Sequence, residues 1–364
     1  MTTRQGPSLR LLWLLPAAIA LLFGLNAGLL LLGVPAPVTN ERLPDAHGAL
    51  LALGFVGTLI ALERATALGR WYGFLAPALL GLGGVLLVLS PVHLIAAKAV
   101  LIAGTAAFTL VYVPLWQRQY DAAVLTQLLG SALAMIGVII WLGQDTLTRI
   151  APWLIGFLVL TICAERVELA RITMGPKSGG RLLIHAWIMT TALVVGLVAP
   201  DIGAILLGLA ILALIAWLFV HDVARKTIHA RGATRYIAAC ILAGYLWLTV
   251  AGVVLLFGDP TGRPAYDAII HAVFLGFTFS MIMGHATTIL PAVLKVSLPY
   301  RPMLWVPAAL LQVAVLVRLW LGDGLGLHLG WQTGGVLGVV ALLVFAATAV
   351  TSSLLGPPRK VSTP

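Results

Sequence analysis

Apolar residues in this chain fall in long runs of about 20, the length a helix needs to cross a bilayer. Short clusters of charge, Pro and Gly separate them. Six runs occupy the first half, at residues 11–32, 48–67, 73–89, 92–115, 122–142 and 152–169. Six more follow, at 182–197, 202–220, 236–257, 268–293, 303–321 and 329–355. Strand-type alternation is missing, which argues against an outer-membrane barrel. The pattern predicts an all-α polytopic membrane protein with 12 transmembrane helices, built as one integral membrane domain over 1–364. No stretch is long or polar enough for a soluble domain. The first run follows Arg4 and Arg10 as a signal peptide would, but it exceeds the about 7–15 residues of an h-region, so a retained helix is expected.

Composition agrees with this reading. Of 364 residues 61% are hydrophobic and 9% charged, with a mean hydropathy of +1.06; soluble domains carry about 25% charged residues. The net charge of +10 would suggest nucleic acid in a soluble protein. Here its distribution suggests a lipid bilayer as partner and no nucleic acid. With the N-terminus placed in the cytoplasm, the outer side holds Arg42, Lys98, Arg149, Arg263 and Arg318, and the inner side holds the other seventeen of the 22 Lys and Arg. That asymmetry follows the positive-inside rule, and a miscounted helix would have scrambled it. Both termini are expected to be cytoplasmic.

A fainter repetition runs through helices 2, 6 and 10. Each contains Gly-Phe with an ionisable residue nine positions after the Gly: Gly54, Phe55, Glu63; Gly156, Phe157, Glu165; and Gly276, Phe277, His285. A recurrence every four helices suggests three four-helix units around a pseudo-threefold axis, with chance as the rival explanation.

Ionisable side chains inside a membrane are costly, and each one raises a functional question. Cys163 and Cys240 lie in apolar runs, with no C-x-x-C or C-x-x-C-H, which argues against thiolate zinc sites, iron–sulfur clusters and c-type haem. Of the histidines, His221, His229, His328 and His93 read as helix-end or surface residues. His47 and His271 sit at similar depth on the outer side of helices 2 and 10, where two imidazoles could supply both axial nitrogens of a haem. Gly48, Gly54 and Gly276 would let a flat macrocycle approach the backbone, and Asp45 and Asp267 could orient the rings. The competing reading makes each Asp a helix N-cap and each His an interfacial anchor. His285 lies 14 residues beyond His271, on nearly the same face of an ideal helix and about 21 Å deeper. It is a candidate for a second metal site, with His185 as a conceivable partner, or else a buried hydrogen-bonded histidine. Glu63, Glu165 and Glu168 cluster with Arg64, Arg166 and Arg171 at the inner ends of helices 2 and 6. They read as interfacial ion pairs with snorkelling arginines, or as a proton entry path. No Walker loop, zincin motif, G-x-S-x-G or dinucleotide fingerprint is present.

Twelve helices with outer-side histidines on helices 2 and 10 resemble the catalytic subunit of the haem–copper oxidases. The segments His47-Gly48-Ala49-Leu50 through Leu62-Glu63-Arg64-Ala65, Ala164-Glu165-Arg166-Val167-Glu168-Leu169, and His271-Ala272-Val273-Phe274-Leu275-Gly276 through Gly284-His285-Ala286 look most similar to NnrS-like membrane proteins. Those are haem- and copper-containing proteins associated with the bacterial nitric oxide response. The resemblance implies haem b held by His47 and His271, with a second haem or copper at His285, in a bacterial inner membrane. It departs from the oxidases where their His-x-His on helix 10 meets Val273, and in lacking their copper histidines on helices 6 and 7. A binuclear centre on the oxidase plan cannot be assembled.

The resulting expectation is an oxidoreductase-type or accessory haem protein, acting in electron transfer or nitric oxide handling. Quinol, a periplasmic donor or respiratory-complex subunits would be its partners. The alternative is a cofactor-free proton-coupled transporter or permease using His285 and the carboxylates; Pro291 gives it slight support as a helix break.

Overall fold

The computed structural model describes residues 12–89, 94–144 and 146–357, so His93 lies outside the described residues. Twelve long helices account for nearly all of them. They are α1 Leu14–Leu31, α2 Leu43–Leu68, α3 Trp71–Val88, α4 Leu94–Gln119, α5 Ala122–Leu142 and α6 Ala151–Leu169, followed by α7 Ser178–Val198, α8 Pro200–His221, α9 Gly232–Phe257, α10 Arg263–Leu294, α11 Pro302–Gly324 and α12 His328–Leu355. Among the described residues, eleven are long and apolar enough to cross a membrane. The remaining one, α6, has 19 residues but carries Glu165, Arg166 and Glu168 near its end. It is enclosed by other helices, with an almost unbroken buried run from Trp153 to Ala164, so it has little need of a lipid-compatible surface. The protein is a polytopic helical membrane protein.

Helices adjacent in sequence pack side by side, α12 returns to α1, and α10 touches both α2 and α6. The helices that share the Gly-Phe pattern therefore meet in the interior. Two thirds of the apolar window of α2 and of α10 is buried, against 28% for α7 and α12. The glycines of the pattern let the other neighbours of these helices approach closely. Gly54 faces Ala20 and the backbone of Gly84, Gly156 faces Leu133 and Leu193, and Gly276 faces the Trp247 ring. Small residues of this kind let membrane helices approach to backbone contact.

Polar contacts sort into two ends, as an antiparallel count of twelve requires. At one end Arg118 donates to the carbonyls of Ala67 and Leu68, Arg166 pairs with Asp222, and Arg301 donates to Gly356 O. At the other, Asn26 exchanges two hydrogen bonds with the Val38 backbone, Lys98 Nζ donates to Trp141 O and Gln144 O, and Gln332 donates to Leu32 O.

Several helices begin earlier than their apolar runs, α2 and α10 by five residues and α7 and α9 by four. Pro44 and Pro264 stand at the first turns of α2 and α10, where a fixed φ suits the helix and a missing N–H costs nothing. His47 consequently lies a full turn inside α2. Neither Asp45 nor Asp267 is an N-cap: Arg42 and Gly262 hold those positions. Three helices also pass into π-helix, over Leu50–Gly57, His271–Phe277 and Val317–Gly324. In α10 the Thr278 hydroxyl donates to Val273 O five residues back, at 3.0 Å. A π turn shifts the register of all that follows and often marks a functional site, so the ideal-helix count from His271 to His285 does not hold.

Candidate functional site

The halves of α1, α2, α6, α10, α11 and α12 that carry His47 and His271, expected from the sequence to lie on the outer side, form a cavity of about 480 Å³, within the range of small-molecule and cofactor sites. His47 and His271 both line it. The His47 ring reaches across to α1, with Nδ1 2.8 Å from Gly24 O. Gly28 makes room for it, since a Cβ there would stand 3.0 Å from His47 Cε1. His271 Nδ1 lies 2.9 Å from Asp267 O, one turn back in α10. Each Nδ1 meets a carbonyl oxygen, so in the neutral ring Nδ1 carries the proton and Nε2 keeps its lone pair. A backbone carbonyl on the far nitrogen is the usual way a protein orients a ligating imidazole.

Asp45 takes no part in orienting His47. Asp267 does so for His271 through its carbonyl, with its carboxylate 3.4 Å from Nδ1. That carboxylate is committed to Arg318, whose Nε and Nη2 donate to its two oxygens at 2.8 Å each. Arg318 and Arg263 both stand against the Trp331 ring, 5.1 and 4.7 Å from its centroid, and all three line the cavity. Of the three glycines expected to admit a macrocycle, only Gly48 reaches this wall; Gly54 and Gly276 are used up in helix packing. The small residues that shape the cavity are Gly28 on α1 and Gly335 and Gly338 on α12. The spacing of Gly24 and Gly28 on one face of α1 was the available signal for the first of them.

A second cavity, of about 360 Å³, lies on the inner side and shares Val56, Phe279 and Leu342 with the first. Phe55 and Phe279 stack between the two, with centroids 5.9 Å apart and planes 13° from parallel. The inner walls are almost wholly apolar apart from His285, Glu63, Glu165 and Arg166. His285 Nδ1 lies 2.9 Å from Met281 O, and its Nε2 is buried with no hydrogen-bond partner. His185 is no partner for it, because that ring packs on Trp217 of α8 and does not line this cavity. Met281 contributes its backbone and part of the lining, while Met283 is core.

Below the inner cavity, Arg64 is 7% exposed and does not snorkel. It donates to Glu63, Glu168 and Gln127. Arg166 turns away from the glutamates to pair with Asp222 at 2.6 and 2.8 Å, and the Tyr245 hydroxyl donates to the same carboxylate at 2.7 Å. Burial alone would push the Asp222 carboxyl up. The Arg166 guanidinium, the Ala224 N–H and the Tyr245 hydroxyl outweigh it and hold Asp222 below the ordinary carboxylate range. Arg171 pairs with Asp121 at 2.9 Å. Among the described residues no three His, Cys, Asp or Glu side chains converge as a metal site would require.

Fold and cavities together define a multi-pass helical membrane protein with two histidine-bearing chambers stacked inside the bundle. Over residues 10–354 the chain matches the model of DUF8744, a domain of unknown function, and it belongs to that family. No curated protein and no solved structure matches it.

Proposed function

We propose that this is a haem-binding protein of the bacterial inner membrane with both termini cytoplasmic, working in electron transfer or in nitric oxide handling, as its resemblance to NnrS-like proteins implies. The reading rests on one observation: His47 and His271, from different helices, border the same cavity with each Nδ1 fixed on a backbone carbonyl. Such a pair suits haem b, which brings four ring nitrogens of its own and asks the protein only for axial ligands. An ion held by protein side chains alone would need more, so copper has the weaker case.

The chain's part in this scheme is positioning and insulation. Gly28 gives its space to the His47 ring, and Gly335 and Gly338 give theirs to Arg318 and Leu275. Arg263 places positive charge where a carboxylate-bearing ligand would need it, while Arg318 is already paired with Asp267, and apolar walls exclude water. When bound, haem would supply reversible one-electron chemistry at this depth. In the inner cavity His285, the one histidine among the described lining residues, would hold a second haem, which would supply an iron able to bind a diatomic ligand. Quinol, a periplasmic donor or subunits of a respiratory complex would be the electron partners.

The test is a reduced-minus-oxidised optical spectrum of the purified protein, expressed with ample haem and quantified as pyridine haemochrome. Low-spin bands are expected, lost in both His47→Ala and His271→Ala. A carbon monoxide or nitric oxide shift that disappears in His285→Ala would assign that iron to His285. A colourless protein would overturn the reading and turn attention to a proton-coupled transporter or permease.

A further inference from the structure

We propose that Glu63 and Glu165 share one proton and exchange it with water, forming a proton relay between the cytoplasmic edge of the bundle and the inner cavity. The inference concerns the chain's own carboxyl groups and does not rest on haem being bound. Both side chains line the inner cavity. Glu165 Oε1 is buried with no donor to satisfy it, and the group it meets is the Glu63 carboxyl. Two carboxylates facing each other have no hydrogen between them, whereas a carboxyl and a carboxylate make a strong hydrogen bond.

Among the described residues the surroundings supply no unpaired cation. Around this pair stand Glu168, Arg64, Gln127 and Tyr112, with Arg166, Asp222 and His285 beyond. Arg64 is already divided between Glu63, Glu168 and Gln127. Arg166 is neutralised by Asp222. Three glutamates thus depend on one guanidinium, and a buried surplus of negative charge is relieved by keeping a proton. The cluster also has a wet end and a dry end. The Glu168 side chain is 34% exposed and Glu63 17%, while Glu165 and His285 line the cavity with Glu165 Oε1 and His285 Nε2 buried. A proton entering from cytoplasmic water forms an O–H bond on Glu63, crosses the shared hydrogen bond to Glu165, and leaves to a base in the cavity. Water in the cavity would serve. Each transfer makes one O–H bond as another breaks, and no electron moves.

Infrared spectroscopy of the purified protein in H2O and D2O tests this. Protonated carboxyls give a C=O band apart from carboxylates. Asp323, bonded to Asp267 near the outer cavity, could add its own, so the measurement uses an Asp323→Asn background. The expected result is a carboxylic-acid band that shifts in D2O and is lost in both Glu165→Gln and Glu63→Gln. Glu165→Asp should keep a band at altered frequency. No band in the Asp323→Asn protein, a band that survives both Gln substitutions, or one that never shifts in D2O would overturn the relay. Should the Gln variants fail to fold, presence and exchange of the band in the parent, with its change in Glu165→Asp, decide the matter. A colourless preparation still yields the spectrum, so failure of the haem reading and failure of the relay are told apart.

Discussion

Arg318 grips Asp267 through two parallel hydrogen bonds of 2.8 Å, joining α11 to α10 one turn from the His271 ring. Arg318 is 6% exposed, so the pair is enclosed, and its flat guanidinium also lies against Trp331. The same aspartate offers its carbonyl to His271. One residue therefore fixes an imidazole, a guanidinium and the contact between two helices.

Breaking one side of an enclosed pair leaves the other charged and alone, at a cost of about 3–5 kcal/mol. Arg318→Met is expected to lower the unfolding midpoint sharply. Asp267→Asn combined with Arg318→Met should recover part of the loss, because the double variant holds no stranded charge. A double-mutant cycle by thermal unfolding in detergent measures the coupling. Purely additive losses would show that the two side chains act independently.

Among the described glycines, Gly28 is the one whose added methyl would press on the His47 ring. Gly28→Val should tilt the imidazole away from Gly24 O without touching His271. If His47 is an axial ligand, haem content per protein should fall several-fold while size-exclusion behaviour stays that of the parent. Unchanged haem content would show that His47 is not held where the structure puts it for that purpose.

The Arg166–Asp222–Tyr245 cluster makes a pH prediction with a definite sign. Asp222 titrates lower in the folded protein than its unfolded value of about 3.9. Its contribution is therefore complete above about pH 4 and is lost as pH falls through the folded value. Thermal stability should decline in acid below that point, and Asp222→Asn should lower stability at neutral pH while flattening the acid decline. A variant with an unaltered acid profile would remove Asp222 from the account.

Lys98 carries its charge into the outer end of the bundle, 3% exposed, and donates to the carbonyls of Trp141 and Gln144 at the end of α5. Its ammonium also stands 4.8 Å from the Trp141 ring centroid. A cation at a helix C-terminus complements both the dipole and the unbonded carbonyls. Lys98→Met keeps the stem but removes that donor, at an expected loss of about 1–3 kcal/mol. Equal unfolding midpoints for the two proteins would mean that water replaces the ammonium at no cost.

Much of this architecture was readable before any coordinates. Long apolar runs must become helices in lipid, because no other local structure satisfies its own backbone there. The intervals for α5 and α12 match theirs within a residue. The starts of α2 and α10 were missed because a helix's first turn tolerates Pro and charge that a hydropathy reading discards. The register of His285 was missed for another reason: the π turns of α10 shift it, and hydropathy patterning does not show them.

His47 and His271 stood out in the sequence because an imidazole in an apolar run is costly and therefore conspicuous. Their surroundings did not stand out. Gly24 O, Gly28, Arg318 and Trp331 are ordinary residues 19 or more positions away from His47, and only the folding of α1, α11 and α12 against α2 and α10 makes them neighbours. In the same way the sequence placed Glu63 and Glu165 at the same depth, while the packing of α2 against α6 decided that they meet each other and that Arg166 turns to Asp222. Burial cost is written residue by residue along the chain; partnership is a property of surfaces brought together, and only tertiary structure decides it.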